Sequence, residues 1–161
     1  MQEISRLITQ LKSGNDSLAE TAVKELSQLG TSAIERLAEL LNDKDVDIRW
    51  WAIRTLAEFD ETQAGQLIID HLEDQDPAVQ QCAAIALRFK PSKNAIKKLI
   101  PLLEHEDQLL SELAADALSA HGEKATQFLI EVVQKGSLKA QIQAVRALSK
   151  IKDTRLHIHI I

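Results

Sequence analysis

Apolar residues recur along this chain at the spacing of amphipathic helices, and one combination of them returns five times. Counting from starts at residues 18, 48, 79, 110 and 140, an alanine occupies the fifth position and a leucine the ninth. The alanines are Ala22, Ala52, Ala83, Ala114 and Ala144, and the leucines are Leu26, Leu56, Leu87, Leu118 and Leu148. The starts are 30, 31, 31 and 30 residues apart, which identifies an internal repeat.

A second helix is predicted between successive copies of this segment. Its apolar residues also have helical spacing, as in Ile34, Leu37 and Leu41, and the opening segment with Ile4, Leu7, Ile8 and Leu11 has the same pattern. Turn residues are periodic too, because an aspartate stands three residues before three of the starts and can cap the new helix. These aspartates are Asp45, Asp76 and Asp107. Gly30 and Gly122 lie in the turn that follows the repeated segment, where a left-handed residue is often needed.

The pattern predicts an all-α fold, an α-solenoid of about five helix pairs of 30–31 residues that wind as a right-handed superhelix. Residues 1–161 form one repeat domain, with repeat boundaries near 14, 44, 75, 106 and 136 and an incomplete last repeat. The apolar tail from Leu156 to Ile161 is expected to begin a sixth helix of the first type. Because such an end lacks a polar cap, we expect either that the chain is part of a longer solenoid or that it self-associates through the C-terminal end.

The two segments DKDVDIRWWAIRTLAEFDETQAGQLIIDHLED and DQDPAVQQCAAIALRFKPSKNAIKKLIPLLE resemble HEAT-like repeats of the phycobilisome-lyase type. The resemblance extends over essentially all of the chain, although the arginine typical of the family occurs only once, as Arg49. It implies the solenoid fold. The family includes bilin lyase subunits and protein-binding scaffolds, and HEAT-like repeats also build one class of DNA glycosylase.

The repeated segment also predicts which residues face outward. Positions 0, 4, 7, 8 and 11, counted from the start as 0, fall in one core sector of a helical wheel, and positions 2, 3, 6 and 10 point away from it. In solenoids these second helices line the concave side, which is the usual binding surface. The apolar outward residues form a candidate patch that consists of Trp50, Trp51, Cys82, Ile85, Phe89 and Leu113. Charged residues frame it, namely Arg54, Glu112 and Asp116.

An exposed apolar patch with a charged rim is typical of a partner-binding surface, and tryptophan and arginine are common anchors. Trp51 and Phe89 have the alternative role of covering the seams between repeats. Glu112 and Asp116, four residues apart on one helix, could receive a basic group of a partner or form an ordinary solvated pair. Glu20 and Lys24, at the same spacing, resemble a helix-stabilising pair.

No catalytic or cofactor motif occurs in the sequence, so no catalytic residue, cofactor or metal ligand is assigned. The sole cysteine, Cys82, has no histidine beside it among the outward positions, which argues against a thiol nucleophile. His157 and His159 form an H-x-H pair, but two ligands alone are a weak metal signal. The net charge of −5 does not favour a nucleic-acid partner.

The sequence therefore favours a non-catalytic scaffold that binds a protein or peptide on its concave face. The alternatives, taken from the resemblance, are a bilin lyase-like chromophore-binding protein and, less favoured, a nucleic-acid binder of the HEAT-like glycosylase type. With no apolar run long enough for a membrane span and no signal peptide at the start of the sequence, we expect a cytoplasmic location.

Overall fold

A computed structural model describes the backbone of residues 1–158 and the side chains of residues 1–151. His159 and the side chain of His157 lie outside the described residues, as do Ile160 and Ile161. The described residues contain ten α-helices joined by short turns and 3₁₀ segments, with no β-strand. The chain divides into two compact units, Met1–Ala83 and Ala84–Ile161.

The first unit is built from pairs of adjacent helices. Its helices are α1 (Gln2–Leu11), α2 (Asp16–Leu26), α3 (Thr31–Leu40), α4 (Val46–Leu56), α5 (Thr62–Asp70) and the first part of α6 (Pro77–Phe89). A 3₁₀ turn at His71–Glu73 follows α5. Helix α1 packs on α2 and α3 packs on α4, while α2 contacts α4 and α3 contacts α5. Helices of the same type are thus neighbours in successive repeats, which confirms the predicted solenoid arrangement.

The second unit repeats this arrangement with one irregular helix. It contains the rest of α6, then α7 (Ile96–Leu99), α8 (Gln108–Ala120), α9 (Glu123–Lys135) and α10 (Leu138–Ile158). Short 3₁₀ segments at Lys93–Ala95 and Ile100–Glu104 flank α7. Pro101 lies in the second of these segments, and its missing N–H prevents a regular α-helix from continuing there. Helix α8 packs on α7 and the following 3₁₀ segment, and α10 packs on α8 and α9.

The repeating small residue lies at the centre of each helix pair. All five alanines of the register are fully buried, and four of the five leucines are also buried. The core is wider than the sequence predicts, because the residue that follows each alanine is buried as well in the first four repeats. These residues are Val23, Ile53, Ala84 and Ala115. Leu18, predicted to be core at the first start, is instead 44% exposed.

The predicted caps form as expected. The carboxylate of Asp45 accepts a hydrogen bond from the backbone N–H of Asp47, and that of Asp107 accepts one from Leu110. Asp76 accepts from Ala78 at the start of α6. Gly30 and Gly122 have φ values of 63° and 59°, so the turn before α3 and the turn before α9 both require the left-handed region.

In three of the five repeats, the side chain of the residue after the start donates to a carbonyl at or just beyond the end of the preceding helix. Gln80 donates from Nε2 to the carbonyl of Leu72 at 2.8 Å, and Gln141 donates to Val133 at 2.9 Å. Arg49 does the same through Nη1, which lies 3.0 Å from the carbonyl of Asp43. These side chains satisfy carbonyls that the end of a helix leaves without partners. Gln80 and Gln141 therefore take the role in their repeats that Arg49 has in the second repeat.

The expectation about the tail is wrong. The backbone from residue 152 to Ile158 continues α10, so no new helix begins at Leu156.

His121, directly after α8, is 8% exposed. Its two ring nitrogens lie 2.7 Å from the carbonyl oxygen of Ala117 and 2.8 Å from that of Ser92, which ties the end of α8 to the turn before α7.

Candidate protein-binding surface

The two tryptophans stand side by side in the middle of α4, where the sequence predicts outward positions. Trp50 and Trp51 are both partly exposed. Their ring centroids are 5.0 Å apart and the rings are nearly perpendicular, at 87°. This edge-to-face arrangement is one that aromatic pairs favour. Each ring therefore fixes the position of the other while part of the pair remains accessible.

A cleft lies beside this tryptophan pair in the first unit. Its volume is about 570 Å³. Apolar walls come from the two tryptophans together with Leu11 and Ile48, and four carboxylates and one ammonium group supply the charge. The charged residues are Asp16, Glu20, Asp45, Asp47 and Lys12. We call this space the tryptophan cleft.

Arg54, one turn further along α4, is held by two carboxylates. Its Nη2 lies 3.3 Å from Oε2 of Glu20 on α2, and its Nη1 pairs with Glu58. Burial opposes the charge of Arg54, but these carboxylates outweigh it and hold the pKa of the guanidinium above its ordinary value. Glu20 thus pairs with Arg54 of the next repeat, and the predicted partnership of Glu20 with Lys24 is wrong.

Cys82 lies beneath the tryptophans instead of on an exposed surface. Its side chain is 7% exposed and its Sγ lies 3.9 Å from the carbonyl oxygen of Trp50. Burial raises the pKa of the Cys82 thiol to about 12, although the charge of Arg54 acts in the opposite direction. The expected exposure of Cys82 is wrong, because the position three residues after the repeat start at residue 79 points into the packed interior.

The second unit exposes the last turns of α6. Ile85 is 42% exposed and Phe89 is 76% exposed. The guanidinium carbon of Arg88 lies 5.8 Å from the centroid of the Phe89 ring, a cation–π distance. Phe89 is too exposed to serve as core packing in this unit. Leu113, also in the predicted patch, is partly buried on α8.

Glu112 and Asp116 are surrounded by basic side chains of their own unit. Asp116 is 12% exposed and accepts from Lys150, while Nη2 of Arg146 lies 3.6 Å from its carboxylate. Arg88 approaches it at 3.8 Å, and Arg146 also lies 3.7 Å from Glu112. These contacts relieve the repulsion between two like charges four residues apart. The two carboxylates are thus engaged within the chain.

The six residues of the predicted patch and the three charged residues that frame it are divided between the two units. The first unit holds Trp50, Trp51, Arg54 and Cys82, and the second holds Ile85, Phe89, Glu112, Leu113 and Asp116. Sequence reasoning did not find the acidic side of the tryptophan cleft. Asp16 and Asp47 lie in the first turns of α2 and α4, 31 residues apart, and the helical wheel covered only the outward positions after each start. The available signal was an acidic residue in the first turn of both helices, although Asp16 stands two residues before its start and Asp47 one residue before its start.

Two kinds of site are absent from the described part of the chain. No group of three or more histidine, cysteine, aspartate or glutamate side chains is arranged to hold a metal ion among these residues. In the same part of the chain, every helix is too short or too polar to cross a bilayer. The outward basic side chains Arg54, Arg146 and Lys150 all pair with carboxylates.

Comparison with known proteins assigns the repeat. The sequence pattern of HEAT repeats matches residues 4–88 and again residues 65–149. The chain belongs to the HEAT repeats family. The helix pairs, the buried alanine register and the capped turns described above are the structural form of that repeat in this chain.

This HEAT repeat protein is similar to a phycobilisome maturation protein, and its fold is similar to those of a phycocyanin lyase complex and a designed repeat protein. A phycobilisome maturation protein of Synechococcus elongatus is 27% identical over 170 residues, which cover 95% of this chain and 82% of the relative. The structure of the complex of CpcE and CpcF of phycocyanin lyase from Nostoc sp. PCC7120 matches with a TM-score of 0.68 and 22% identity, over 90% of this chain and 97% of the matched chain. A designed armadillo repeat protein in complex with the peptide (KR)4 matches with a TM-score of 0.51 and 19% identity, over 90% and 80%.

Proposed function

We propose that this HEAT repeat protein is a non-catalytic module that binds a protein or peptide partner through its second helices, on the face expected to be concave. The observation that carries the proposal is the exposure of Ile85 and Phe89 on α6. Two large apolar side chains one helical turn apart, with Arg88 stacked on the Phe89 ring, form the type of anchor that protein interfaces use.

The comparisons support a partner of this class. The matched phycocyanin lyase structure is a complex of two proteins, and the matched armadillo repeat protein is a complex with a peptide. By the same similarity, the partner would be a protein of phycobilisome maturation. The basic side chains on the outward positions are mostly paired, which leaves little free positive charge for a nucleic acid.

The test compares two double variants that remove exposed apolar side chains from different places. Ile85→Ser with Phe89→Ser removes the proposed anchor, and Leu18→Ser with Leu109→Ser removes side chains that are 44% and 52% exposed elsewhere. Each variant is immobilised after circular dichroism has confirmed its helix content, and proteins captured from the native cell are quantified by mass spectrometry. We expect the first variant alone to lose its partner, and equal capture by both variants would contradict the proposal.

A second candidate function is the handling of an open-chain tetrapyrrole, and the similarity to a phycobilisome maturation protein favours it. Trp50 and Trp51 on α4 would hold the chromophore, and Arg54, one turn further along the same helix, would pair with a propionate. Arg54 would first have to leave Glu20 and Glu58, which is a cost for this binding mode. Titration with biliverdin tests it: induced circular dichroism in the visible range that Arg54→Gln weakens would support it, and an unchanged spectrum would contradict it.

The proposed partners include a second copy of this chain. Ile142 and Val145 on α10 are 59% and 53% exposed, and with Val133 and Gln141 they line a hollow of about 330 Å³. An apolar hollow on the last helix pair is the feature that a further helix pair would cover in a solenoid. Contact between copies at this end would bury it.

A further inference from the structure

We infer that the tryptophan cleft of the first unit is a receptor for a lysine or arginine side chain on a basic segment of the protein partner. The inference rests on the proposed function and names the chemistry of the partner. It concerns a place on the chain separate from Ile85 and Phe89, and all of its residues belong to the first unit.

Charge is the first argument. Four carboxylates line the tryptophan cleft, and the only basic side chain in the lining is Lys12. The Lys12 ammonium lies 3.7 Å from the carboxylate of Asp43, which is not part of the lining, so its charge is directed to another partner. The cleft is therefore negative, and a cation is the complementary ligand.

The availability of the carboxylates is the second argument. Glu20 pairs with Arg54, and Asp45 caps α4. Asp16 and Asp47 form no ion pair within residues 1–151. Two carboxylates on one cleft thus lack a side-chain counter-charge, and they come from the first turns of two different helices, α2 and α4.

The apolar walls are the third argument, because they distinguish a long basic side chain from a small inorganic cation. Lysine and arginine place an aliphatic stem on apolar surface while the charged head reaches polar groups. Leu11 and Ile48 supply that surface in the cleft. The perpendicular rings of Trp50 and Trp51 supply aromatic surface, and the face of an indole attracts cations. A volume of about 570 Å³ is large enough for such a side chain and part of its backbone.

The experiment uses the fluorescence of Trp50 and Trp51, which are the only tryptophans of the chain. The full chain is titrated at low ionic strength with an octapeptide of alternating lysine and arginine, and with an octapeptide of alternating glutamine and serine as the neutral control. We expect a saturable change in tryptophan emission with the basic peptide alone, weakened by added salt. Absence of a saturable change with the basic peptide would overturn the inference.

A matched pair of variants separates local recognition from the overall negative charge. Asp16→Asn with Asp47→Asn removes the two available carboxylates, and Glu3→Gln with Glu35→Gln removes two exposed carboxylates outside the cleft. Loss of two ion pairs should weaken peptide binding about tenfold in the first variant, against less than about twofold in the second. Equal weakening in both variants would overturn the inference, because it would show attraction to net charge alone.

The Ile85→Ser/Phe89→Ser variant distinguishes this inference from the proposed function. It leaves the cleft unchanged, so it should bind the basic octapeptide with the affinity of the unaltered chain while it loses the protein partner. A chain that binds the octapeptide and captures no partner contradicts the proposed function and supports the cleft. A chain that captures its partner through Ile85 and Phe89 but does not bind the octapeptide contradicts the cleft alone.

Discussion

Arg49 forms a two-pronged ion pair with Asp74. The Nε atom of Arg49 lies 3.0 Å from Oδ2 of Asp74, and its Nη2 lies 2.9 Å from Oδ1. The two side chains are 13% and 6% exposed, and Arg49 also donates to the carbonyl of Asp43. One guanidinium therefore joins α4, the turn that precedes it and the turn before α6.

The first prediction is that removal of this carboxylate strongly destabilises the protein. Asp74→Ala leaves a nearly buried guanidinium without its partner, and we expect a loss of about 2–3 kcal/mol in the free energy of unfolding. The Arg36–Glu39 pair is the control, since its side chains are 48% and 62% exposed. Glu39→Ala should cost at most about 0.5 kcal/mol. Urea denaturation measures both, and similar losses in the two variants would contradict the assignment.

The second prediction concerns the loss of folding stability at acidic pH. Burial acts to raise the pKa of Asp74, but the hydrogen bonds from Arg49 and from the backbone of Asp76 outweigh it, so the pKa lies below its ordinary value. A carboxyl group whose pKa is lower in the folded chain than in the unfolded chain stabilises the folded state at pH values above its unfolded pKa of about 3.9. This contribution is lost as the pH falls through the pKa of the folded state. The urea midpoint should thus fall steeply below about pH 4 and less steeply in Asp74→Asn. Parallel curves for the two proteins would exclude Asp74 as the cause.

The third prediction is that the Cys82 thiol is unreactive in the folded protein. The thiolate is the reactive species, and a thiol with a pKa of about 12 is ionised far less at pH 8 than an ordinary cysteine. We expect alkylation by iodoacetamide at pH 8 to be at least about 100-fold slower in the folded chain than in guanidinium chloride. Mass spectrometry of quenched samples gives both rates. Comparable rates would mean that Cys82 is accessible.

The fourth prediction tests the alanine register. Ala114 is fully buried in α8, whereas Ala120 lies at the exposed end of the same helix. Ala114→Leu forces three further carbon atoms into a closed seam and should cost about 1–3 kcal/mol. Ala120→Leu adds the same atoms in solvent and should leave the urea midpoint nearly unchanged. An equal loss of stability at both positions would show that helix propensity, and not packing in the seam, determines the effect of leucine.

The sequence predicts the fold well because the repeat supplies the same information five times. The alanine at the fifth position, the caps at Asp45 and Asp107 and the glycine at Gly30 all depend on local geometry, which a helical wheel and turn rules describe. The same local rules do not describe contacts between repeats. Glu20 and Arg54 are 34 residues apart, so the wheel of a single helix shows neither as the partner of the other.

The candidate surface was harder to predict, because outward positions differ in how deeply a neighbouring repeat covers them. Cys82 and Ile85 are three residues apart on α6, yet the first is 7% exposed and the second 42%. The register of one helix places both outside the narrow core sector. Only the neighbouring helices determine that Cys82 lies against the Trp50 carbonyl, and their position depends on every side chain in the seam.

The last prediction concerns the apolar hollow on α10. If copies of the chain meet there, the mass measured by sedimentation velocity should rise with protein concentration, because association of two copies obeys mass action. Val145→Lys places a charge beside Ile142 in the hollow. Because contact between copies would remove this charge from water at an unfavourable free energy, the variant should keep the mass of a single chain. Ile130→Lys on α9 is the matched control, since Ile130 is 36% exposed and does not line the hollow. A mass that is independent of concentration, or one that both substitutions reduce equally, would contradict contact at this end.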